Sequence, residues 1–203
     1  MITLNINHLG NAEIFWRELG LEDEIALNET ENPTHQTLAV SVEYIDEIHD
    51  KLIELDIPTS PITATADGNF MFSFLEPEGN TIIIIGEWVE EPYAAEKRAE
   101  FFDNMKNVEI LPLTELSNLT ETTFILFGRV TCPWTRRFAR QLPTVVTTKI
   151  AYIDTEDTDI NPQLQSIREQ YNVPTVPTFI KRFSDGSFEK FDKKVQRLTD
   201  FVK

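Results

Sequence analysis

From Val108 onward the sequence alternates strand-type and helix-type segments, then closes on a hairpin and a short helix, and few folds accommodate that order. Val108–Leu111, Thr123–Phe127 and Lys149–Ile153 are apolar runs that read as strands. Glu115–Leu119, Pro133–Leu142 and Gln163–Tyr171 read as the helices that follow them. Thr178–Phe183 and Ser187–Phe191 then flank Asp185-Gly186, a dipeptide suited to a tight hairpin turn, and Gln196–Val202 reads as a last helix. Such a succession implies an α/β sandwich around a mixed sheet.

The chain ahead of this has another rhythm. Thr3–Asn7 alternates as a strand, and Ala12, Phe15, Trp16 and Leu19 recur at helical spacing up to Gly20. Gln36–Val42 is a strand, and Ile45, Ile48, Leu52 and Leu55 mark a second helix that Pro58 ends. Phe70–Leu75 and Thr81–Ile85 flank Glu76-Pro77-Glu78-Gly79-Asn80, a connection whose Pro and Gly make a hairpin. From Pro92 a polar, helix-favouring stretch carries Phe101, Phe102 and Met105 on one side, and reads as a helix packed between modules. The expected division is a first module at 1–90, a helical connector at 91–106 and a second module at 107–203, an α/β (α+β) protein overall.

Charge divides the chain at the same place. Residues 1–90 hold 18 Asp and Glu against 2 Lys and Arg, a net −16. Residues 91–203 hold 16 of each sign and balance. An acidic half argues against nucleic acid and anionic membranes as partners. No apolar run is long enough to cross a bilayer, and the N-terminus has neither the basic nor the apolar region of a signal peptide. One cysteine cannot form an internal disulfide, so a reducing cytoplasm is expected.

That cysteine is Cys132, in Cys132-Pro133-Trp134-Thr135, between a strand end and a helix start. A helix N-terminus there would stabilise a thiolate. Arg136 and Arg140 follow at i+4 and i+8, with Arg137 beside them and Arg129 ahead of the loop, so four guanidinium groups would add to that effect. The Thr135 hydroxyl, at i+3, is expected to donate a hydrogen bond to the sulfur.

Phe127-Gly128-Arg129-Val130-Thr131-Cys132-Pro133-Trp134-Thr135 resembles the active-site segment of thioredoxin-like proteins, and looks closest to their bacteriocin-accessory branch, a bacterial group. Val173-Pro174-Thr175-Val176-Pro177-Thr178-Phe179 is similar to the family's second fingerprint, which implies a cis Val176–Pro177 bond. The resemblance implies catalytic roles for Cys132, Thr135 and Pro177 and substrate contacts from Pro133, Trp134, Arg136 and Val176. It also implies a partner bearing a thiol or disulfide, either a protein or a small thiol. Two departures bear on activity. Thr135 stands where the family has its second cysteine, and Leu126 stands where it has a buried acid. A monothiol protein in thiol–disulfide exchange and a binding scaffold with a relic cysteine both remain open.

Phe15-Trp16-Arg17-Glu18-Leu19-Gly20-Leu21 and Phe74-Leu75-Glu76-Pro77-Glu78-Gly79-Asn80 resemble the glyoxalase/bleomycin-resistance (vicinal-oxygen-chelate) family. Its proteins pair two βαβββ halves into a cup, and residues 1–90 hold about one. The resemblance implies a cup completed by a second chain as a homodimer, or else a partial cup. The family's metal-ligand positions fall at Met1, Thr37 and Ile83, none of them His or Glu, with His8 and His35 offset from two of them. No metal and no other cofactor is expected. Phe70, Phe72 and Phe74 read either as the lining of an apolar cup or as plain core, and His49 as a packing or surface residue.

Overall fold

The computed structural model describes residues 2–31, 33, 35–145 and 150–203. The chain divides into two units, Met1–Glu91 and Pro92–Lys203, of mixed α/β build.

In the first unit, β1 (Ile2–Ile6), α1 (Leu9–Leu19) and β2 (Ile25–Glu29) make a βαβ segment with parallel strands, Ile2 opposite Ile25. A full βαβββ segment follows: β3 (Thr37–Tyr44), α2 (Asp46–Glu54), β4 (Thr63–Ala64), β5 (Phe70–Leu75) and β6 (Thr81–Trp88). Its strands run in the order β3-β6-β5-β4, with β3 and β6 parallel and the rest antiparallel. So the unit holds one complete βαβββ and, ahead of it, a shorter βαβ without an inner hairpin. Strands β2 and β4 carry no strong sequence signal. Ile25-Ala26-Leu27 runs straight into polar Asn28-Glu29, and β4 has only two residues.

Alternation along β5 and β6 turns Phe72, Phe74, Ile82 and Ile84 inward, where Leu4, Ile6, Phe15, Trp16, Ile48 and Leu52 meet them. Phe72 and Phe74 are thus core and do not line a cup. His49 is buried as well, its ring edge-on to Phe72 at 5.0 Å and its Nε2 3.2 Å from the Thr59 hydroxyl. The Glu76–Asn80 turn closes on itself: the Glu76 carboxylate accepts from both the backbone and the side-chain amide of Asn80, at 2.9 and 2.7 Å. Gly79 holds φ +92°, and an added Cβ there would come within 2.9 Å of the His35 ring. Glu78 accepts hydrogen bonds from the backbone N–H groups of Asn7 and His8, and Glu29 accepts from Leu9. Helix α1 is therefore capped by carboxylates from distant segments, while the His8 side chain at its N-cap makes no cap bond.

The second unit opens with α3 (Ala95–Asn104), the helix expected between modules. Phe101 and Met105 bury in this unit's core with Phe124, Leu126 and Tyr152. Its sheet runs β11-β10-β8-β9-β7, from β7 (Val108–Ile110), β8 (Thr123–Gly128), β9 (Ile150–Asp154), β10 (Thr178–Arg182) and β11 (Phe188–Lys190). Strands β7, β9 and β8 are parallel, and β10 and β11 antiparallel, as expected of a mixed-sheet sandwich. One face packs on α3, α4 (Pro133–Ala139), α5 (Leu142–Val145) and α7 (Leu198–Phe201). The other packs on α6 (Pro162–Gln170) and a 3₁₀ turn, Leu113–Asn118, at the site of the expected helix 115–119. The expected single helix Pro133–Leu142 is two short ones. Pro143 has no N–H to offer the carbonyl four residues back, and Gln141 N–H tightens onto Phe138 O at 3.1 Å instead. Lys149, expected to begin β9, lies outside the described residues.

Among the described residues no helix is long and apolar enough to cross a membrane.

Candidate functional site

Cys132 is the N-cap residue of α4, directly after the loop that leaves β8, and Pro133 fills the first helical position, where a missing N–H costs nothing. The Val176–Pro177 peptide bond is cis and immediately precedes β10. Strands β8 and β10 are neighbours with Phe127 opposite Thr178, so the two loops meet at one end of the sheet. There the Cys132 thiol points at the Val176 carbonyl oxygen, with Sγ at 3.7 Å. The sulfur is largely covered, with the residue 9% exposed.

A groove of about 500 Å³ lies between α4 and the cis-Pro177 loop, and Cys132 itself is not among the residues that line it. Trp134, Arg137 and Phe138 form one wall, Val176 and cis-Pro177 the end, and Phe191 and Lys193 the far side. Its floor is aromatic: Phe138 lies 5.5 Å from Phe179 and 6.2 Å from Phe191, ring centre to ring centre. Trp134 is 38% exposed. The arrangement offers a trough with an aromatic floor and a rim that carries Arg137, Asp192 and Lys193, with the Val176 carbonyl at one end.

The seven site residues expected from sequence separate into two groups. Pro133, Trp134, Val176 and Pro177 gather around Cys132. Thr135 and Arg136 turn the other way. Thr135 is fully buried, and its hydroxyl has no partner among the described residues, so the expected bond to sulfur does not form. Its methyl packs on Gly128. Arg136 is 2% exposed and donates through Nη1 to Val130 O at 2.7 Å and Pro92 O at 3.3 Å. It ties backbone together and does not line the groove. Arg140 forms a two-pronged pair with Glu100 at 2.7 and 3.1 Å. Of the four arginines near the sulfur in sequence, Arg137 alone lines the groove, and Arg129 is exposed.

Acid collects on the other side of the loop. The Thr131 hydroxyl donates to the Glu156 carboxylate at 2.7 and 2.8 Å. Loss of solvation holds the Asp154 carboxyl above its ordinary range, and Glu156 and Asp157 add to this. Tyr152, under the loop, donates to Gly128 O at 3.0 Å. Burial foremost, then Asp154, Glu156 and Cys132, push its phenol far above its ordinary value.

Sequence reasoning did not find Phe138, Phe191 and Lys193. Phe138 follows Cys132 in the same helix and could have been flagged, whereas Phe191 and Lys193 reach the groove only through the β10–β11 hairpin. In the first unit, the divalent metal implied by the glyoxalase resemblance does not fit the residues present. Thr37 on β3 and Ile83 on β6 offer no ligand, and Met1 lies outside the described residues. No group of three or more His, Cys, Asp and Glu among the described residues could hold a metal ion.

No family model matches the chain, and neither does any curated protein. Similar solved structures include a glyoxalase/bleomycin resistance protein from Catenulispora acidiphila DSM 44928, 20% identical over 44% of this chain and 96% of that one, with a TM-score of 0.33. The genomically encoded fosfomycin resistance protein FosX from Listeria monocytogenes is 15% identical over 42% of this chain and 88% of its own, with a TM-score of 0.33. The J-Trx1 fragment of ERdj5 is 17% identical over 45% of this chain and 47% of its own, with a TM-score of 0.32. At these values none of the three assigns a function to the chain.

Proposed function

We propose that the second unit is a monothiol exchange module in which Cys132 takes up one half of a disulfide presented in the adjoining groove. The observation that carries this reading is Cys132 Sγ lying 3.7 Å from the Val176 carbonyl oxygen, at the residue preceding cis-Pro177. A peptide laid against that carbonyl has its neighbouring side chains over Trp134 and Phe191, and a disulfide within it faces the sulfur. The thiol loses its proton to solvent, and the thiolate sulfur displaces one sulfur of the incoming disulfide. Cys132–S–S–R forms, and R′–S⁻ leaves and takes up a proton, so the exchange consumes no external oxidant or reductant. With Thr135 at the second-cysteine position, the mixed disulfide waits for a thiol from outside. A free thiol of this kind suits a reducing cytoplasm. The first unit serves in this reading as a metal-free binding or dimerisation module.

A second reading is a non-catalytic scaffold that binds peptide in the groove. The covered sulfur and its hydrogen bond to Val176 O favour it, as does the commitment of Arg136 and Arg140 elsewhere. Incubating the native full chain with glutathione disulfide and weighing the intact protein separates the two. An adduct of one glutathionyl group, absent in Cys132→Ser and released by an external thiol, supports exchange. No adduct on the native chain, with rapid labelling once it is denatured, overturns exchange and leaves the scaffold.

A further inference from the structure

The second unit contains another cleft of about 500 Å³, on the α6 face of the sheet. It lies by the end of β10 where Arg182 stands, whereas cis-Pro177 precedes the opposite end. Leu113, Leu116 and Ser117 line it from the 3₁₀ turn, and Ser166, Ile167 and Gln170 line it from α6.

Arg182 also lines this cleft and is 7% exposed. A guanidinium stays charged and has five N–H groups to satisfy. Nε donates to the Tyr171 hydroxyl at 3.1 Å, and Nη1 donates to Leu119 O and Phe183 O at 2.9 and 3.3 Å. All three acceptors are neutral. Nη2 makes no hydrogen bond among the described residues and lies 3.9 Å from where a Cβ on Gly186, another lining residue, would stand. Burying a cation without a counter-charge is costly. Yet in a chain with 34 Asp and Glu, no carboxylate lines this cleft. Asp185, in the hairpin turn beside it, is engaged by the Ser187 N–H at 2.9 Å and the Ser187 hydroxyl at 2.6 Å, and makes no ion pair with Arg182. The Arg182 charge lowers the Asp185 carboxyl only as the last contributor, behind those hydrogen bonds.

We infer that this cleft binds a small amphipathic carboxylate, its anionic end on Arg182 Nη2 and its apolar end on Leu113, Leu116 and Ile167. Nη2 offers a charge-assisted hydrogen bond to one oxygen of a carboxylate. The cleft holds a single cation, and the chain carries a net −16, so a dianion is disfavoured.

The test is a titration of the ¹⁵N-labelled full chain with hexanoate, hexan-1-ol and inorganic phosphate, following the Arg182 Nε–H and Gln170 side-chain signals. Hexanoate is expected to saturate both, at least about tenfold tighter than hexan-1-ol and than phosphate. Arg182→Met should abolish the response. Because that variant removes several backbone contacts, Ser166→Trp is the second probe. It grows from an exposed α6 position into the cleft, leaves Arg182 in place, and should also abolish binding in a protein with an unchanged circular dichroism spectrum. Equal affinity for hexan-1-ol, tighter binding of phosphate, retained binding in Ser166→Trp, or no saturation by about 20 mM hexanoate would each overturn the assignment.

Discussion

A Cβ built on Gly128 would stand 2.4 Å from the Thr135 methyl carbon, so the last residue of β8 and the third residue of α4 share one small space. Backbone packing here is set by the absence of a side chain at one position and the shape of the side chain at the other. Gly128→Ala is expected to lower stability by about 1–3 kcal/mol through overpacking. Thr135→Ser in the same background should recover part of that loss. Urea titrations of the single and double variants check this, and equal loss in both would mean that the two residues do not compete.

Thr135 also decides the kind of sulfur chemistry available. It is fully buried one turn into α4 from Cys132, and its hydroxyl has no partner among the described residues. Thr135→Cys removes that hydroxyl and supplies a second sulfur three residues after the first. An internal disulfide between Cys132 and the introduced thiol should form under mild oxidation, detectable as a loss of two hydrogens by mass. Turnover of an insulin-type disulfide should rise at least about tenfold over the natural chain. A disulfide without a gain in turnover would mean that the groove does not present substrate to Cys132.

Tyr152 gives a pH signature. Its phenol is pushed far above the ordinary value of 10, chiefly by burial, so the folded state keeps a proton that the unfolded state releases above that pH. The folded state then binds more protons, and stability falls as pH rises past 10. Tyr152→Phe should cost about 1 kcal/mol at neutral pH by removing the donor to Gly128 O. It should also flatten the alkaline decline. Denaturant midpoints measured from neutral pH into the alkaline range test both parts, and parallel curves for the two proteins would count against the second.

Arg136 and Arg140 look alike in sequence and differ in the fold. Arg136→Met leaves Val130 O and Pro92 O without their donor and should cost about 2–4 kcal/mol. Arg140→Gln removes a partly exposed pair with Glu100 and should cost about 0–1 kcal/mol. Thermal unfolding of the two variants ranks them, and a larger effect at Arg140 would reverse the roles.

These residues also show where the sequence is readable. Cys132 and the strands on either side are set by near neighbours, so local pattern finds them, whereas the cis Val176–Pro177 bond was expected only from the family resemblance. The break between α4 and α5 was missed, although Pro143, directly after the expected helix, carries its signal. Strand β2 was not legible, since Ile25–Glu29 becomes a strand only by pairing with β1. Nor was the capping of α1 by Glu78 from 71 residues away, or the hold of Arg136 on Pro92 from 44 residues away. The Arg182 cleft is hidden for the same reason. Leu119, whose carbonyl accepts from Arg182, lies 63 residues away in sequence and becomes its neighbour only after folding.

The hold of Arg136 on Pro92 has a practical side for anyone who cuts this chain. One guanidinium nitrogen joins the opening residue of the second unit to Val130, two positions ahead of Cys132. A fragment beginning at residue 107, where the strand pattern starts, would discard Pro92, the Glu100 partner of Arg140 and the buried Phe101 together. It would keep every residue of the thiol groove while loosening the bolt that steadies the thiol loop. Cys132 in such a fragment would be labelled faster for mechanical reasons alone, and that speed would say nothing about its chemistry in the whole protein. The second unit begins at Pro92, well before the first strand that sequence pattern would pick out.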